Sequence, residues 1–305
     1  MSLLPEIKID TKGLAEPLTK LIDCVSKGIG TAYEPTAIIK KAKAESEASL
    51  ILANAAIEKQ DLLRRAAHRW SYLESRRQGV IEAIVEESKQ LLPQSVSREP
   101  VSDDWLVQFF EDCKDVGGRE MQAIWARILT GEVTTPGRYS RRTLQLLKTF
   151  EYRDARAFFQ YCSVAFSQAD NSHFTLQNGA TDTALKTLDS FPIESHLISL
   201  GLVASDLRLY GFSQLNDWKI KYFDKKLSFV AEPQLQISSP YQPPEKAAGI
   251  ARFFTAVGDE LYSIVAAQPL TGFVEKQREE FAKEKIQLIE LPSEHEPATS
   301  PKTLS

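Results

Sequence analysis

The feature that most constrains this chain is a stretch of 57 residues, 36–92, that contains no proline and a single glycine, Gly79. The stretch is rich in Ala, Glu, Lys, Arg, Gln and Leu, which are strong helix formers, and Pro35 precedes it at a position that suits a first helical turn. An unbroken helix of this length would span roughly 85 Å at ~1.5 Å per residue, which exceeds the width of a compact domain. The sequence therefore predicts, within residues 1–92, a long helical arm that projects or pairs with another helix.

A shorter amphipathic helix is predicted ahead of this arm, over residues 12–29. Its apolar residues recur every three or four positions: Leu14, Leu18, Ile22, Val25 and Ile29. Such a stripe packs on the rest of the chain, on a partner or on a membrane surface. We expect the first of these rather than peripheral membrane contact.

A linker of Pro and Ser residues at 93–100 separates the arm from a central helical domain, residues 101–168. Four short helices are predicted here, and the clearest has the spacing of a core-facing helix, with apolar residues at Met121, Ile124, Trp125, Ile128 and Leu129. Gly131 ends that helix, and Ser140 is a candidate N-cap for the next one.

Residues 169–291 are predicted to form a small α+β domain. A strand near 171–176 precedes two short helices, at 182–189 and 193–200, and a hairpin with strands at 218–223 and 227–231, an order that is winged-helix-like. The spacing of apolar residues from Ile250 to Ile264 predicts another helix, followed by a polar helix near 271–282 and a strand at 286–291. Residues 292–305 are expected to be disordered. The predicted fold is thus mainly α, with a long N-terminal helical arm, a central helical bundle and a winged-helix-like C-terminal domain.

Composition places the chain among globular proteins, because 43% of its 305 residues are hydrophobic and 26% are charged. The net charge of −4 indicates no general affinity for polyanions, which leaves only a local basic face as a nucleic-acid site. The start of the sequence lacks the features of a secretory signal, and the longest apolar run, 261–274, is too short to span a bilayer. Three widely spaced cysteines, Cys24, Cys113 and Cys162, fit reduced core positions. We therefore expect a cytoplasmic protein.

Signatures of catalysis and of cofactor or metal binding are not found in the sequence. There is no phosphate-binding glycine loop and no Gly-x-Ser-x-Gly elbow, and the four histidines do not have metal-ligand spacing. We accordingly expect no cofactor, no metal and no catalytic residue, and more readily a binding protein than an enzyme. One enzymatic alternative stays open: a cysteine-dependent hydrolase, if the fold brings a histidine to Cys113 or Cys162.

Two basic groups are candidate nucleic-acid contacts. The first is a band of arginines on the long helix, Arg64, Arg65 and Arg69, followed by Arg76 and Arg77. The second is on the predicted hairpin, Lys219, Lys221, Lys225 and Lys226, with Trp218, Tyr222 and Phe223 interleaved. Lysines and aromatic side chains together can grip phosphates and bases. The same alternation also fits a half-buried strand whose lysines are simply hydrated.

The central domain carries a specific series of short motifs. They are Asp104-Trp105, Phe109-Phe110, Glu120-Met121-Gln122, Trp125-Ala126-Arg127-Ile128-Leu129, Gly131-Glu132-Val133, Pro136-Gly137 and Arg142-Thr143-Leu144. With Ala42-Lys43-Ala44-Glu45 upstream, this series resembles the bacterial family catalogued as domain of unknown function 2806, well over residues 12–165 and loosely beyond. Gly79 stands where that family has asparagine, a change that favours a bend in the long helix.

The layout of the chain also resembles, more distantly, the abortive-infection alpha group of phage-defence proteins. That resemblance implies a role in antiviral defence. The polar motif residues are the candidates for a partner face, since the apolar ones are explained by packing: Gln122, Arg127, Glu132 and Arg142.

Three functions follow from these observations. The leading hypothesis is a non-enzymatic protein that acts through protein contact or self-assembly, as a homo-oligomer or with a protein partner, in phage defence. The alternative is a nucleic-acid-binding regulator that uses the winged-helix-like domain. The third is the cysteine-dependent hydrolase.

Overall fold

The computed structural model describes residues 15–30, 33, 59–189, 191–210, 218–231 and 249–292. It groups the chain into two compact units, unit 1 (residues 1–150) and unit 2 (residues 151–305). The described part contains ten helices and one seven-stranded antiparallel sheet, which lies in the C-terminal half. The chain is therefore mainly helical, as predicted, and has a separate antiparallel sheet in its C-terminal half.

Unit 1 is helical throughout its described residues. Its helices are α1 (Glu16–Ile29), α2 (Lys59–Leu91), α3 (Asp103–Cys113), α4 (Arg119–Thr134) and α5 (Arg141–Lys148). The core forms where aromatic side chains of α3 meet α4: Phe109 packs edge-on against Trp125 at 5.3 Å between ring centroids and stacks on Trp105 at 5.1 Å. Trp125, Ile128 and Leu129 are fully buried, so the predicted core-facing stripe of α4 is confirmed.

Helix α1 packs inside unit 1. Leu21, Cys24 and Val25 are buried, and α1 contacts α3 and α4. The approach is close, because a Cβ built on Gly28 would lie 2.1 Å from the ring of Phe110. Of the predicted stripe only Val25 is buried, whereas Leu18, Ile22 and Ile29 are half-buried and Leu14 lies outside the described residues. The helix packs on the rest of the unit as expected, but through a face rotated toward Leu21 and Cys24.

The long helix α2 continues through Gly79 as one helix. The predicted first part of the arm, 36–58, lies outside the described residues. The C-terminal half of α2 packs on α4, and the Ser88 hydroxyl donates to the carbonyl of Ala126 at 3.1 Å.

The described residues of unit 2 form five helices and the seven strands of the sheet. The helices are α6 (Tyr152–Cys162), α7 (Gly179–Leu188), α8 (Ile193–Ser199), α9 (Ala256–Tyr262) and α10 (Phe273–Lys283). The strands are β1 (Phe166–Ser167), β2 (His173–Leu176), β3 (Arg208–Tyr210), β4 (Lys219–Tyr222), β5 (Lys225–Ala231), β6 (Gly249–Phe253) and β7 (Ile286–Glu290). Their order in the sheet is β3-β6-β2-β1-β4-β5-β7.

The predicted hairpin is confirmed as β4 and β5, with Lys221 paired to Lys226 across it, but it lies inside the larger sheet, between β1 and β7. One face of the sheet forms the core of unit 2 with α10: Phe166, Phe174 and Phe229 pack there with Phe273 and Phe281. Helix α6, which the sequence assigned to the central domain, belongs to unit 2, where Phe158 packs against Phe254 at 5.8 Å between ring centroids.

The helix predicted from Ile250 to Ile264 is wrong in its first half. Gly249–Phe253 is strand β6, which pairs with β2 on one side and with β3 on the other. The helix α9 begins only at Ala256, where the hydroxyl of the N-cap Thr255 accepts the N–H of Gly258 at 3.1 Å. Pairing on both sides satisfies the backbone of β6 and buries Ala251 and Phe253, which outweighs the helical spacing of the apolar residues. The tail from residue 293 onward lies outside the described residues.

Candidate functional site

Two of the four polar motif residues hold unit 1 together. Glu132 is buried on α4, where its carboxylate accepts the backbone N–H groups of Gly137 at 2.7 Å and Tyr139 at 3.0 Å. Gly131 lies under the ring of Tyr139, and a Cβ there would be 2.7 Å from that ring. Gln122 donates to the carbonyl of Val116 at 3.1 Å, which ties α4 to the preceding loop. At Gln122 and Glu132 the motif therefore fixes the loops that precede and follow α4.

The other two motif residues, Arg127 and Arg142, are exposed. Arg127 lies on the outer side of α4, and Arg142 lies in the first turn of α5. The polar motif residues thus divide into a pair with hydrogen bonds inside unit 1 and an exposed pair.

The environment of the three cysteines disfavours the thiolate form that a nucleophile needs. Burial raises the pKa of the Cys24 thiol to about 12, and it also raises the pKa values of Cys113 and Cys162 well above the ordinary range. A catalytic cysteine needs a thiolate, which a lowered pKa provides. These thiols are therefore packing residues.

Both described histidines of unit 2 pair with aspartates that are distant in sequence. His173 lies 2.8 Å from Asp259 through Nδ1, and its ring stacks on Tyr262. His196 Nε2 lies 2.7 Å from Asp154. The sequence carries no signal for these pairs, because 86 and 42 residues separate the partners. Within the described residues, no group of three or more His, Cys, Asp or Glu side chains could hold a metal ion.

A buried polar cluster joins α6 and α8 to the sheet. The Tyr161 hydroxyl donates to Glu194 at 3.0 Å, and burial, followed by the charge of Glu194, raises the pKa of Tyr161 well above 10. Arg252 lies 3.1 Å from Glu194 and donates to the carbonyl of Ser205 at 2.7 Å. Because every charge here has an internal partner, we interpret the cluster as structural.

A shallow pocket of about 210 Å³ opens beside the N-terminal half of α6. Arg153 covers the ring of Phe191 at 3.8 Å, and Arg156 lies 3.9 Å from Asp189. Both arginines are thus engaged with the pocket wall.

The hairpin lysines separate onto the two faces of the sheet. Lys219 is opposite Ser228 and Lys221 is opposite Lys226, so three lysines share one face, whereas Lys225 is opposite the buried Tyr222 on the other. The lysines and aromatic residues alternate along β4, so their side chains lie on opposite faces of the sheet and do not form one mixed surface. Trp218 stacks on Phe174 at 4.9 Å within the core.

We call the outer surface of β4, β5 and β7 the lysine face. Its described strand positions are Lys219, Lys221, Lys226, Ser228, Val230, Gln287 and Ile289. Val230 and Ile289 are each 39% exposed, and none of these positions carries an acidic residue. The lysine face is therefore locally basic although the chain is acidic overall.

The arginine band divides into two residues that contact the loop after α3 and three that do not. Arg77 lies 2.9 Å from Asp115 in the loop after α3, and this contact lowers the pKa of Asp115. Arg76 donates to the carbonyl of Asp115. Arg64 and Arg65 instead pair with Asp61 on their own helix and are largely exposed, as is Arg69.

The N-terminal half of α2 has an exposed apolar stripe. We call it the α2 stripe, and its residues follow helical spacing: Leu62, Leu63, Ala66, Trp70 and Leu73. Leu62, Leu63 and Trp70 are 65%, 59% and 64% exposed. The same side of the helix continues into Val80 and Ile84, which are buried in unit 1. The stripe thus extends an internal helix interface beyond the packed part of the unit.

Comparison with known proteins identifies a family for most of the chain. The family described as Protein of unknown function (DUF2806) matches residues 64–277, which is more than half of the chain. No curated protein and no solved structure matches the chain. No described helix is long and apolar enough to cross a membrane.

Proposed function

The chain belongs to the family described as Protein of unknown function (DUF2806), whose description assigns no activity, and we propose from its own geometry that it acts by self-association through the α2 stripe. The occupant of the stripe is the stripe of a second copy. The function is therefore one of assembly rather than of catalysis.

The observation that carries this proposal is the exposure of the large apolar side chains Leu62, Leu63 and Trp70 on adjoining positions of one helix. Contiguous apolar surface of this kind marks an interaction site in soluble proteins. Burying a Leu side chain contributes roughly 1.5–3 kcal/mol relative to leaving it exposed, so pairing of the stripes has a substantial driving force.

The spacing of the stripe favours another helix as its partner. Leu63, Ala66, Trp70 and Leu73 alternate steps of three and four residues, the spacing of a helix–helix seam. The small Ala66 permits close approach beside the bulky Trp70. A second copy supplies an identical seam, and closed homo-oligomers are the commonest soluble assemblies.

Self-association through the α2 stripe should raise the mass of the protein in solution. We expect light scattering at micromolar concentration to give at least twice the chain mass of 34.2 kDa. The double change Leu63→Glu and Trp70→Glu should return the protein to the monomer mass, because it places charge in the seam. Tyr72→Glu is the matched control, since Tyr72 is 69% exposed on the same helix but points away from the stripe.

A monomer at all concentrations would contradict self-association. An assembly that the Tyr72→Glu variant loses as readily as the double variant would show that the stripe is not the interface.

A role in phage defence rests on the layout resemblance, and we propose it as the setting in which assembly acts. We expect cells that carry the gene to lower the plating efficiency of a sensitive phage about tenfold or more. The Leu63→Glu, Trp70→Glu variant should restore plating, and Tyr72→Glu should not. Unchanged plating across a broad phage panel would remove the defence proposal while leaving the mass measurement unaffected.

The alternative, a nucleic-acid-binding regulator of winged-helix type, is supported by the basic hairpin of β4 and β5. In winged-helix proteins a recognition helix also enters the major groove, where it usually brings basic side chains to the phosphates. The corresponding short helix α8 carries no Lys or Arg. The lysines of the hairpin thus lie on the sheet and not on this helix. The third candidate, a cysteine-dependent hydrolase, has no supporting contact between a cysteine and a histidine among the described residues.

A further inference from the structure

We propose that the lysine face binds the phosphate backbone of single-stranded nucleic acid. The site is on unit 2 and does not depend on the α2 stripe, so either proposal can fail alone. Its ligand is a flexible polyanion, held by ammonium groups and without recognition of base sequence.

The register of the sheet brings the charges together. Lys219 and Lys221 are two residues apart on β4, or roughly 6.8 Å along the strand, and Lys221 is directly opposite Lys226 on β5. Lys219 and Lys221 are exposed at this face. The positive charge of the three neighbouring ammonium groups is complementary to that of an anionic ligand.

The position of the strands argues against a peptide partner. β4 lies between β1 and β5, and β5 lies between β4 and β7, so neither lysine-bearing strand has an edge to which an acidic peptide could add as a further strand. The terminal strand of the face, β7, contributes no lysine to it. Contacts at this face come from side chains that stand out from the sheet. Such contacts suit a ligand whose own backbone carries a charge at every unit.

The shape and chemistry of the face favour a single strand over a duplex. Lys219 and Lys221 are exposed at this face, whereas Ser228 beside them is buried, and a flexible strand can bring successive phosphates to the exposed lysines. Val230 and Ile289 provide an apolar area beside the lysines, on which bases can rest. The large aromatic rings of the hairpin, Trp218 and Tyr222, lie on the opposite face and cannot stack on bases. Binding should therefore be independent of sequence.

The test is fluorescence anisotropy of a labelled oligothymidine of about 20 nucleotides, with a duplex of equal length as comparison. Three phosphate contacts predict a slope of log affinity against log salt near −2, or about a 20-fold loss between 50 and 200 mM salt. The Lys219→Ala, Lys221→Ala double variant should bind at least tenfold more weakly at 50 mM salt, with a slope near −0.7.

Lys225→Ala is the matched control, because it removes a charge from the same hairpin but on the other face of the sheet. Its affinity should stay within about twofold of the wild type, and circular dichroism should show that all variants keep the native fold. The proposal is overturned by no binding at 50 mM salt, or by equal weakening in Lys225→Ala. Tighter binding of the duplex, or displacement of the oligonucleotide by polyglutamate at equal charge, would also overturn it.

Discussion

Replacing Trp125 with aspartate should leave unit 1 without a folded core. Trp125 is fully buried and packs edge-on against Phe109. Removing a buried Trp side chain costs about 3–5 kcal/mol, and burial of an unpaired carboxylate adds several more. The sum is comparable with the whole stability of an ordinary domain, about 5–15 kcal/mol. We expect a large loss of helical circular dichroism and a red-shifted tryptophan emission, because Trp105 loses its buried environment as well.

Trp125→Phe is the matched control for that change. The indole Nε1 of Trp125 has no hydrogen-bond partner among the described residues, so phenylalanine removes an unsatisfied donor while it keeps an aromatic ring in the core. We expect a loss of at most about 2 kcal/mol, read from the urea midpoint of the helical signal. An aspartate variant that unfolds at the wild-type midpoint would show that α4 does not carry the core of unit 1.

Replacing Gly258 with alanine should destabilise unit 2 strongly. A Cβ at this position would lie 2.1 Å from the carbonyl oxygen of Leu202 and 3.2 Å from Cβ of Phe254. The first turn of α9 must then move away from residues 201–202, to which Thr255 donates through both its N–H, at 3.0 Å, and its hydroxyl, at 2.6 Å. Overpacking costs roughly 1–3 kcal/mol, and each lost hydrogen bond about 1 kcal/mol. We therefore expect a loss of about 3 kcal/mol or more.

The same change at Gly79 should have the opposite sign. Gly79 lies in the interior of α2, and a Cβ there meets no atom within 4 Å. Alanine is favoured over glycine in a helix by about 0.8–1 kcal/mol, so Gly79→Ala should raise the urea midpoint of unit 1. Equal destabilisation by both changes would mean that the close contact between α9 and Leu202 is not present in solution.

Assembly and nucleic-acid binding, if both are found, would reside on different units. The α2 stripe belongs to unit 1 and the lysine face to unit 2. The variants proposed for each surface leave the other unchanged, so the two activities can be removed separately. Phage plating with both sets of variants would then show which surface a defence role requires.

The family resemblance was readable from the sequence because its motifs are dense over one helical region, and the family match over residues 64–277 confirms it. The roles of the motif residues were only partly readable. Gly131 was predicted to end α4, but the helix continues to Thr134 and Gly131 lies under the ring of Tyr139. Glu132 was predicted as a candidate for a partner face, but its carboxylate accepts two backbone N–H groups of the following turn. A buried acceptor and an exposed one look alike in sequence.

Short-range sequence patterns were sufficient to predict the helices of unit 1 and the hairpin of unit 2. Their signals, a 3.6-residue apolar period, the Ser140 cap and a two-residue period from Trp218 to Tyr222, act between residues that are near in the chain. Tertiary structure decided the rest. It made Gly249–Phe253 a strand, because partners more than 70 residues upstream pair with it, as Leu176 does with Ala251. It also decided which surfaces stay open, because α10 covers one face of the sheet and leaves the lysines on the other, and α4 covers only half of the α2 helix. Periodicity shows that an element has two faces, but only packing decides which of them meets water.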